Sequence, residues 1–506
     1  MGQGRDTLAR VALPWLALVG LSFAFRAPAL LNAAATNSDA AIVGLQAMHI
    51  LEGDRALFLL GSGYQTSSDS FVAAGFFSVM GPTPIALMLS SFTLHVVSTL
   101  LAYATLRRHM SGWGAFVPAL ALVFTTSCLH SFALYPPRQL SLTLVMAAVC
   151  VIDSAESGVR LGLGALLVML AWTSDPYAMV LVAPLLGFAA LHAWTSPTRA
   201  SATIGGYVGL VLGAVPLGAL WVHPNAHHGV TETSTDVLSH NWHLLVTECF
   251  PWMSGTAIYA AVHWMDYARV EESALLHAFQ ITGVIIACGA LIYGAYTIAA
   301  RKELLALRRL HAFALATVVV TITGFLISRM VMDKFSMRYL AAIALVLPFA
   351  LAPVVNRLGP KNGALLLAPY LVSAAIGGWL GYGPYVDGPR PVLTGSGRAT
   401  DEAQLIAQLD ARGVNDAVAD YWSAYRLTFL ARERVQFVPL HVQQDRYPPY
   451  RLRFESAKRV AYVYDELRSF EDRSQIEADF ASVGAFSSNV ERLDVGVFHA
   501  AIFTRK

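Results

Sequence analysis

The feature that most constrains this chain is a recurrence: apolar stretches long enough to cross a bilayer follow one another for most of its length. A spanning helix needs about 20 apolar residues. Such stretches fall at 11–31, 84–106, 113–130, 139–153, 160–173, 176–195, 202–222, 275–299, 311–329, 338–355 and 363–382. They predict a polytopic α-helical membrane protein with about 11 helices. The stretches at 139–153 and 160–173 are short and fit helices that are buried between others or tilted. Arg5 and Arg10 before the first stretch, with Ala27-Pro28-Ala29 near its end, imitate a signal peptide. The stretch is long for one and many more follow, so a retained first helix is expected.

Charge divides the chain. Only 13% of the 506 residues are charged, against about 25% in a soluble domain. Of the 68 charged side chains, 31 lie after Gly395. The expected organisation is a membrane body over 1–385, a Gly- and Pro-rich linker over 386–400, and a small α/β domain over 401–506. Within that last domain, helices are predicted at 401–412 and 470–482, and strands at 417–421, 435–440, 460–464 and 495–504. No basic run points to nucleic acid. Cys128, Cys150, Cys249 and Cys288 are scattered through apolar surroundings without the spacing of a zinc site.

The positive-inside rule sets an orientation. Arg107 and Arg108, Arg160, Arg199, the run from Arg301 to Arg309, and Arg357 with Lys361 fall in alternate loops, which places the N-terminus inside. An odd number of helices then places the C-terminal domain outside, at the periplasmic face of a bacterial inner membrane. Two outer loops are long, 32–83 and 223–274. In the first, residues 40–52 and 70–80 carry apolar side chains at helical spacing and predict amphipathic helices lying in the membrane interface. The second is rich in Trp and Tyr, as at a headgroup belt. It also holds His223, His227, His228, His240 and His243, with Glu232 and Asp236 among them. A loop of this composition can hold a divalent cation weakly, but no His-Glu-x-x-His spacing marks a metal site.

Carboxylates are costly where lipid begins, so Asp39 and Asp69 in the first outer loop stand out. Each follows a serine and precedes a helical stretch, so each could cap a helix. Each could also do chemistry: a carboxylate can take a proton from a hydroxyl, or bind a metal ion that does so. Gly61, Gly63, Tyr64 and Gln65 between them suit a pocket wall.

This loop resembles that of a known class. Asn37-Ser38-Asp39-Ala40-Ala41-Ile42-Val43-Gly44, His49-Ile50-Leu51-Glu52-Gly53 and the stretch from Gly61 to Asp69 are similar to the first periplasmic loop of GT-C glycosyltransferases. The nearest likeness is to the bacterial branch related to protein O-mannosyltransferases and the lipid A aminoarabinose transferase. The resemblance implies a polyprenyl-phosphate sugar as donor and transfer outside the membrane. It maps the catalytic base onto Asp39 and a second acid onto Asp69. Thr66 stands where the pattern has Gly, and Asp69 where it more often has Glu.

A polyprenyl-phosphate donor needs cations at the interface, because a guanidinium can grip phosphate oxygens in a fork and an ammonium acts as a point charge. Arg138 after Pro136-Pro137, and Lys334 and Arg338 near the outer end of the tenth stretch, are the candidates, with Tyr339 beside them. Snorkelling to lipid headgroups is the plain alternative. Asp175 before Pro176 has the form of a turn starter, with ligand contact as the alternative. In the C-terminal domain, Tyr421, Trp422, Tyr425, Arg426, Arg446, Tyr447 and Tyr450 form an aromatic and basic group of the kind that stacks on sugar rings, or packs a core. The function expected is inverting transfer of a hexosyl or pentosyl unit to an envelope lipid, glycan or protein. A transporter or flippase, or a non-catalytic envelope assembly protein, is the rival.

Overall fold

The computed structural model describes residues 2–127, 136–226, 233–263, 266–300, 304–393, 397–466 and 489–506, with positions 474, 477 and 478. The predicted helix at 470–482, apart from positions 474, 477 and 478, and the residues Cys128, His227, His228 and Glu232 lie outside the described residues. Among the described residues, seven helical stretches are long and apolar enough to cross a membrane. The chain is a multi-pass membrane protein.

The chain forms two compact units. One comprises residues 1–27, 92–134 and 138–386; the other comprises 28–91, 135–137 and 387–506. Helices α1 (Gly2–Leu31), α2 (Ser38–Glu52), α3 (Ser68–Met80), α4 (Pro84–Arg107), α5 (Gly112–Val123), α6 (Gln139–Asp153), α7 (Gly158–Ser174), α8 (Met179–Thr195) and α9 (Arg199–Trp221) come first. The second long loop follows, with α10 (Thr235–Leu244), α11 (Phe250–Ser254) and a hairpin of β1 (Tyr259–His263) and β2 (Asp266–Arg269). Then come α12 (Ala274–Ala300), α13 (Leu305–Ile327) and α14 (Ala341–Leu380). Within α14 the two last predicted stretches are two helical segments that meet at a kink, where Gly359 leaves the helical conformation with φ 78°. The short predicted stretches are the short helices α6 and α7, of 15 and 17 residues.

Small residues let helices of the membrane unit approach closely. On α7 and α9, a Cβ at Gly205 would come within 1.9 Å of the Gly158 carbonyl oxygen, and one at Gly209 within 1.9 Å of that of Gly162. Asn241 of α10 donates to the carbonyls of Phe325, Leu326 and Ser328, tying the second loop to the end of α13.

The other unit holds a five-stranded sheet in the order β6-β5-β7-β9-β8, from β5 (Asp416–Ala419), β6 (Gln436–Pro439), β7 (Arg459–Asp465), β8 (Glu491–Val495) and β9 (Phe498–Thr504). β5 pairs in parallel with β6 and β7, whereas β9 is antiparallel to β7 and β8. β3 (Val386–Asp387) and β4 (Arg390–Pro391) make a small ribbon at the start of the expected linker. Helices α15 (Gly397–Ala411), α16 (Tyr421–Leu430) and α17 (Pro448–Ser456) accompany the sheet. α16 begins where the strand predicted at 417–421 was to end: Asp420 accepts hydrogen bonds from the amides of Trp422 and Ser423 and caps it.

The sequence placed α2 on a lipid surface; the structure corrects this. Every residue of α2 from Ala40 to His49 is buried. Its apolar side chains share a core with Phe77 of α3 and with Tyr425, Phe429, Tyr450 and Phe503 from the C-terminal segment. Gly44 is required by this packing, since a Cβ there would lie 2.7 Å from the Phe429 ring. The helical spacing at 40–52 is therefore that of a helix buried in protein. In α3 the buried residues Asp69, Ser70, Ala73, Ala74 and Phe77 keep to one face, with Phe71, Val79 and Met80 exposed.

Candidate functional site

Asp39 sits in the first turn of α2, but it is not the cap. Asn37 is, its side chain accepting from the Ala40 amide at 2.9 Å. That leaves the Asp39 carboxylate available for other contacts, and its Oδ1 accepts a hydrogen bond of 2.7 Å from the Tyr421 hydroxyl. Ser38 Oγ lies 2.7 and 2.8 Å from the carbonyl oxygens of Tyr421 and Trp422, and the Arg426 amide donates to it at 3.3 Å. The starts of α2 and α16 are thus fastened together one residue away from the acid.

Arg446 completes this group. Its Nε donates to the Tyr421 hydroxyl at 3.3 Å and its Nη1 to the Gly61 carbonyl at 3.1 Å, while the guanidinium lies 5.7 Å from the Tyr421 ring centroid. Gly61, at φ 65°, is pressed so closely that a Cβ would stand 2.5 Å from Arg446 Cα. Burial, and the Asp39 charge beside it, push the Tyr421 hydroxyl well above the ordinary phenol range, so it stays protonated. Burial alone would lower the Arg446 pKa; the Tyr421 hydroxyl and the Asp39 charge reverse that and hold it above the usual value.

The other predicted residues of this loop differ in burial. Tyr64 is 51% exposed, and Gln65 is buried, its carbonyl accepting from the Leu59 amide at 2.9 Å. Asp69 is buried in the first turn of α3; the cap position belongs to Ser67, whose hydroxyl instead donates to the Ala56 carbonyl.

The predicted phosphate-binding residues lie in the membrane unit. Arg138 has φ 103°, a left-handed conformation that costs a non-glycine residue on the order of 1–3 kcal/mol. In it, Nε donates to Asp175 Oδ2 at 3.0 Å, and the guanidinium sits 4.9 Å from the Tyr177 ring centroid and 5.8 Å from that of Tyr339. Arg338 stands 5.2 Å from the same Tyr339 ring and donates to its hydroxyl at 3.3 Å. Two guanidiniums therefore flank one tyrosine. Tyr177 fixes the frame: its hydroxyl donates to the Tyr339 carbonyl and accepts from the Ala342 amide. Asp175 is both a turn residue, accepting from the Tyr177 amide at 2.8 Å, and the partner of Arg138. Lys334 goes elsewhere: its ammonium lies 5.1 Å from the Tyr259 ring of β1.

Among the described residues no group of three or more His, Cys, Asp or Glu side chains gathers as a metal site would require. Tyr421 and Arg446 were legible in the sequence only as sugar-stacking candidates. Their place beside Asp39 had no local signal, since 382 positions separate Asp39 from Tyr421.

No family model matches this chain, and no curated protein matches it. Solved structures do. The chain is similar to ArnT from Cupriavidus metallidurans bound to undecaprenyl phosphate, with a TM-score of 0.58 and 12% identity, over 99% of this chain and 98% of that one. The same protein in its apo state gives 0.48 at 12% identity, over 96% of this chain and 98% of that one. The apo oligosaccharyltransferase of Archaeoglobus fulgidus gives 0.42 at 11% identity, over 89% of this chain and 69% of that one. The chain has the GT-C fold that its first outer loop implied.

Proposed function

We propose that this protein is an inverting glycosyltransferase that moves a sugar, hexosyl or pentosyl, from a polyprenyl-phosphate donor to an envelope acceptor at the periplasmic face. The observation that carries the reading is the pair of guanidiniums, Arg138 and Arg338, flanking Tyr339, with Arg138 held by Asp175 in a conformation that costs energy. Arginine is suited to the forked recognition of phosphate oxygens. The fold supports the same reading, since the ArnT structure that shares it was solved with undecaprenyl phosphate.

In this reading Asp39 takes the proton of the acceptor hydroxyl. The freed oxygen pair attacks the anomeric carbon as the bond from that carbon to the phosphate oxygen breaks on the opposite side. The leaving electrons stay on the lipid phosphate, a charge of the kind that guanidiniums such as Arg138 and Arg338 stabilise. Asp69 shapes the acceptor side together with Tyr64 and Gln65. The carrier lipid already activates the sugar.

The test is transfer from defined polyprenyl-phosphate sugars by purified wild type and Asp39→Asn. A general base contributes about 10²- to 10⁴-fold, so Asp39→Asn should lose at least about 100-fold in kcat. Undiminished turnover in the variant would sink the assignment.

A further inference from the structure

The Asp39 carboxylate has a partner that the proposed reaction does not by itself require. Tyr421 and Arg446 both belong to the C-terminal segment, and both converge on the acid of the first outer loop. The direction of their hydrogen bonds is fixed by chemistry. A guanidinium has only donors, so the Tyr421 oxygen must accept from Arg446. The hydroxyl has one hydrogen, and with its oxygen turned to Arg446 that hydrogen points at Asp39 Oδ1, 2.7 Å away.

We infer that Tyr421, directed by Arg446, is a positioning residue for the base: it holds one carboxylate oxygen of Asp39, leaving Oδ2 to meet the acceptor. The inference rests on the proposed role of Asp39 and deepens it. The C-terminal domain then supplies part of the working site.

Three anchors support a built arrangement. Ser38 bonds the backbone of Tyr421 and Trp422, which fastens the start of α16 to the start of α2 where the tyrosine leaves the chain. Gly61 accepts from Arg446 and leaves no room for a side chain against it. The Arg446 amide donates to the Tyr425 hydroxyl, fixing the arginine at its backbone as well.

The experiment compares full-length wild type, Tyr421→Phe and Asp39→Asn in detergent, with the donor that supports turnover. Tyr421→Phe keeps the ring, which packs on Trp422 and Tyr425 with centroids 5.1 and 5.9 Å away, and removes only the hydroxyl. A hydrogen bond to a charged group corresponds to about 10- to 100-fold, so kcat should fall by that factor with donor KM within about twofold. The acid limb of the pH–rate profile should move to higher pH, because the ionised acid has lost a donor. Arg446→Met should reproduce the shift in part, with Tyr421 free to turn. If Tyr421→Phe turns over at the wild-type rate with an unmoved profile while Asp39→Asn is dead, the positioning role is overturned and the base assignment stands. If Asp39→Asn remains active, or wild type turns over no donor, both fall. A loss in Tyr421→Phe matched by an equal fall in melting temperature and an unmoved profile also overturns the inference, as a structural role.

Discussion

At the scale of single residues, the acids and cations singled out in the sequence have separate and well-defined surroundings. Asp39 was ambiguous between cap and chemistry; Asn37 takes the cap, and the Asp39 carboxylate accepts from the Tyr421 hydroxyl instead. Arg138 and Arg338, each also open to reading as a snorkelling side chain, lie against the same Tyr339 ring. Lys and Arg are not interchangeable at such a place, since only the guanidinium is planar and forked. Arg138→Lys should therefore raise the donor KM by about tenfold, through loss of one charge-assisted hydrogen bond. Kinetics over a range of donor concentration check this, and an unchanged KM would assign Arg138 to the fold alone.

At the scale of elements, the periodicity of 40–52 was legible as a helix but not as a buried one. Apolar spacing tells which side chains want to leave water; it does not tell whether lipid or protein receives them. The receiving surface, α16 and the sheet, is encoded hundreds of residues later. The same helix carries a titratable contact. His49 Nε2 lies 2.8 Å from Glu433 Oε1, and Tyr450 also donates to that carboxylate. The Glu433 bond, against the opposing effect of burial, raises the His49 pKa above 6.5. Burial alone would raise that of Glu433, but the bonds from His49 and Tyr450 prevail and lower it below 4.5. The pair is therefore fully stabilising between about pH 4.5 and 6.5. Stability is lost as pH rises through the raised histidine value, and as pH falls through the lowered glutamate value. The melting temperature of His49→Gln should fall furthest below wild type near pH 5.5 and approach it as pH rises through the raised histidine value; a pH-independent gap would show that the pair does not titrate as described.

At the scale of the whole molecule, the sequence was a good guide to the apolar helices, because these rest on local composition. It was a poor guide to which segments fold together. Residues 28–91 share a unit with 387–506, and a core built from both has Phe429, 1% exposed, within it and stacked on Phe77 with ring centroids 6.0 Å apart. Removing such a buried phenylalanine costs about 3–5 kcal/mol. Phe429→Ala should accordingly lower the melting temperature of the full chain markedly, and a chain ending at Val386 should aggregate or stay inactive. A monodisperse, active truncation would show that the first outer loop needs no such partner.

That shared core has a consequence in time. The two faces of the Asp39–Tyr421 contact are made 382 residues apart. At about 5–20 residues per second of synthesis, the first loop waits roughly 20–80 s for its counterpart. Through that interval α2 has no α16 to cover it, and the acid has no hydroxyl to hold it. Under the proposed function, a copy interrupted before α16 lacks the hydroxyl that meets Asp39.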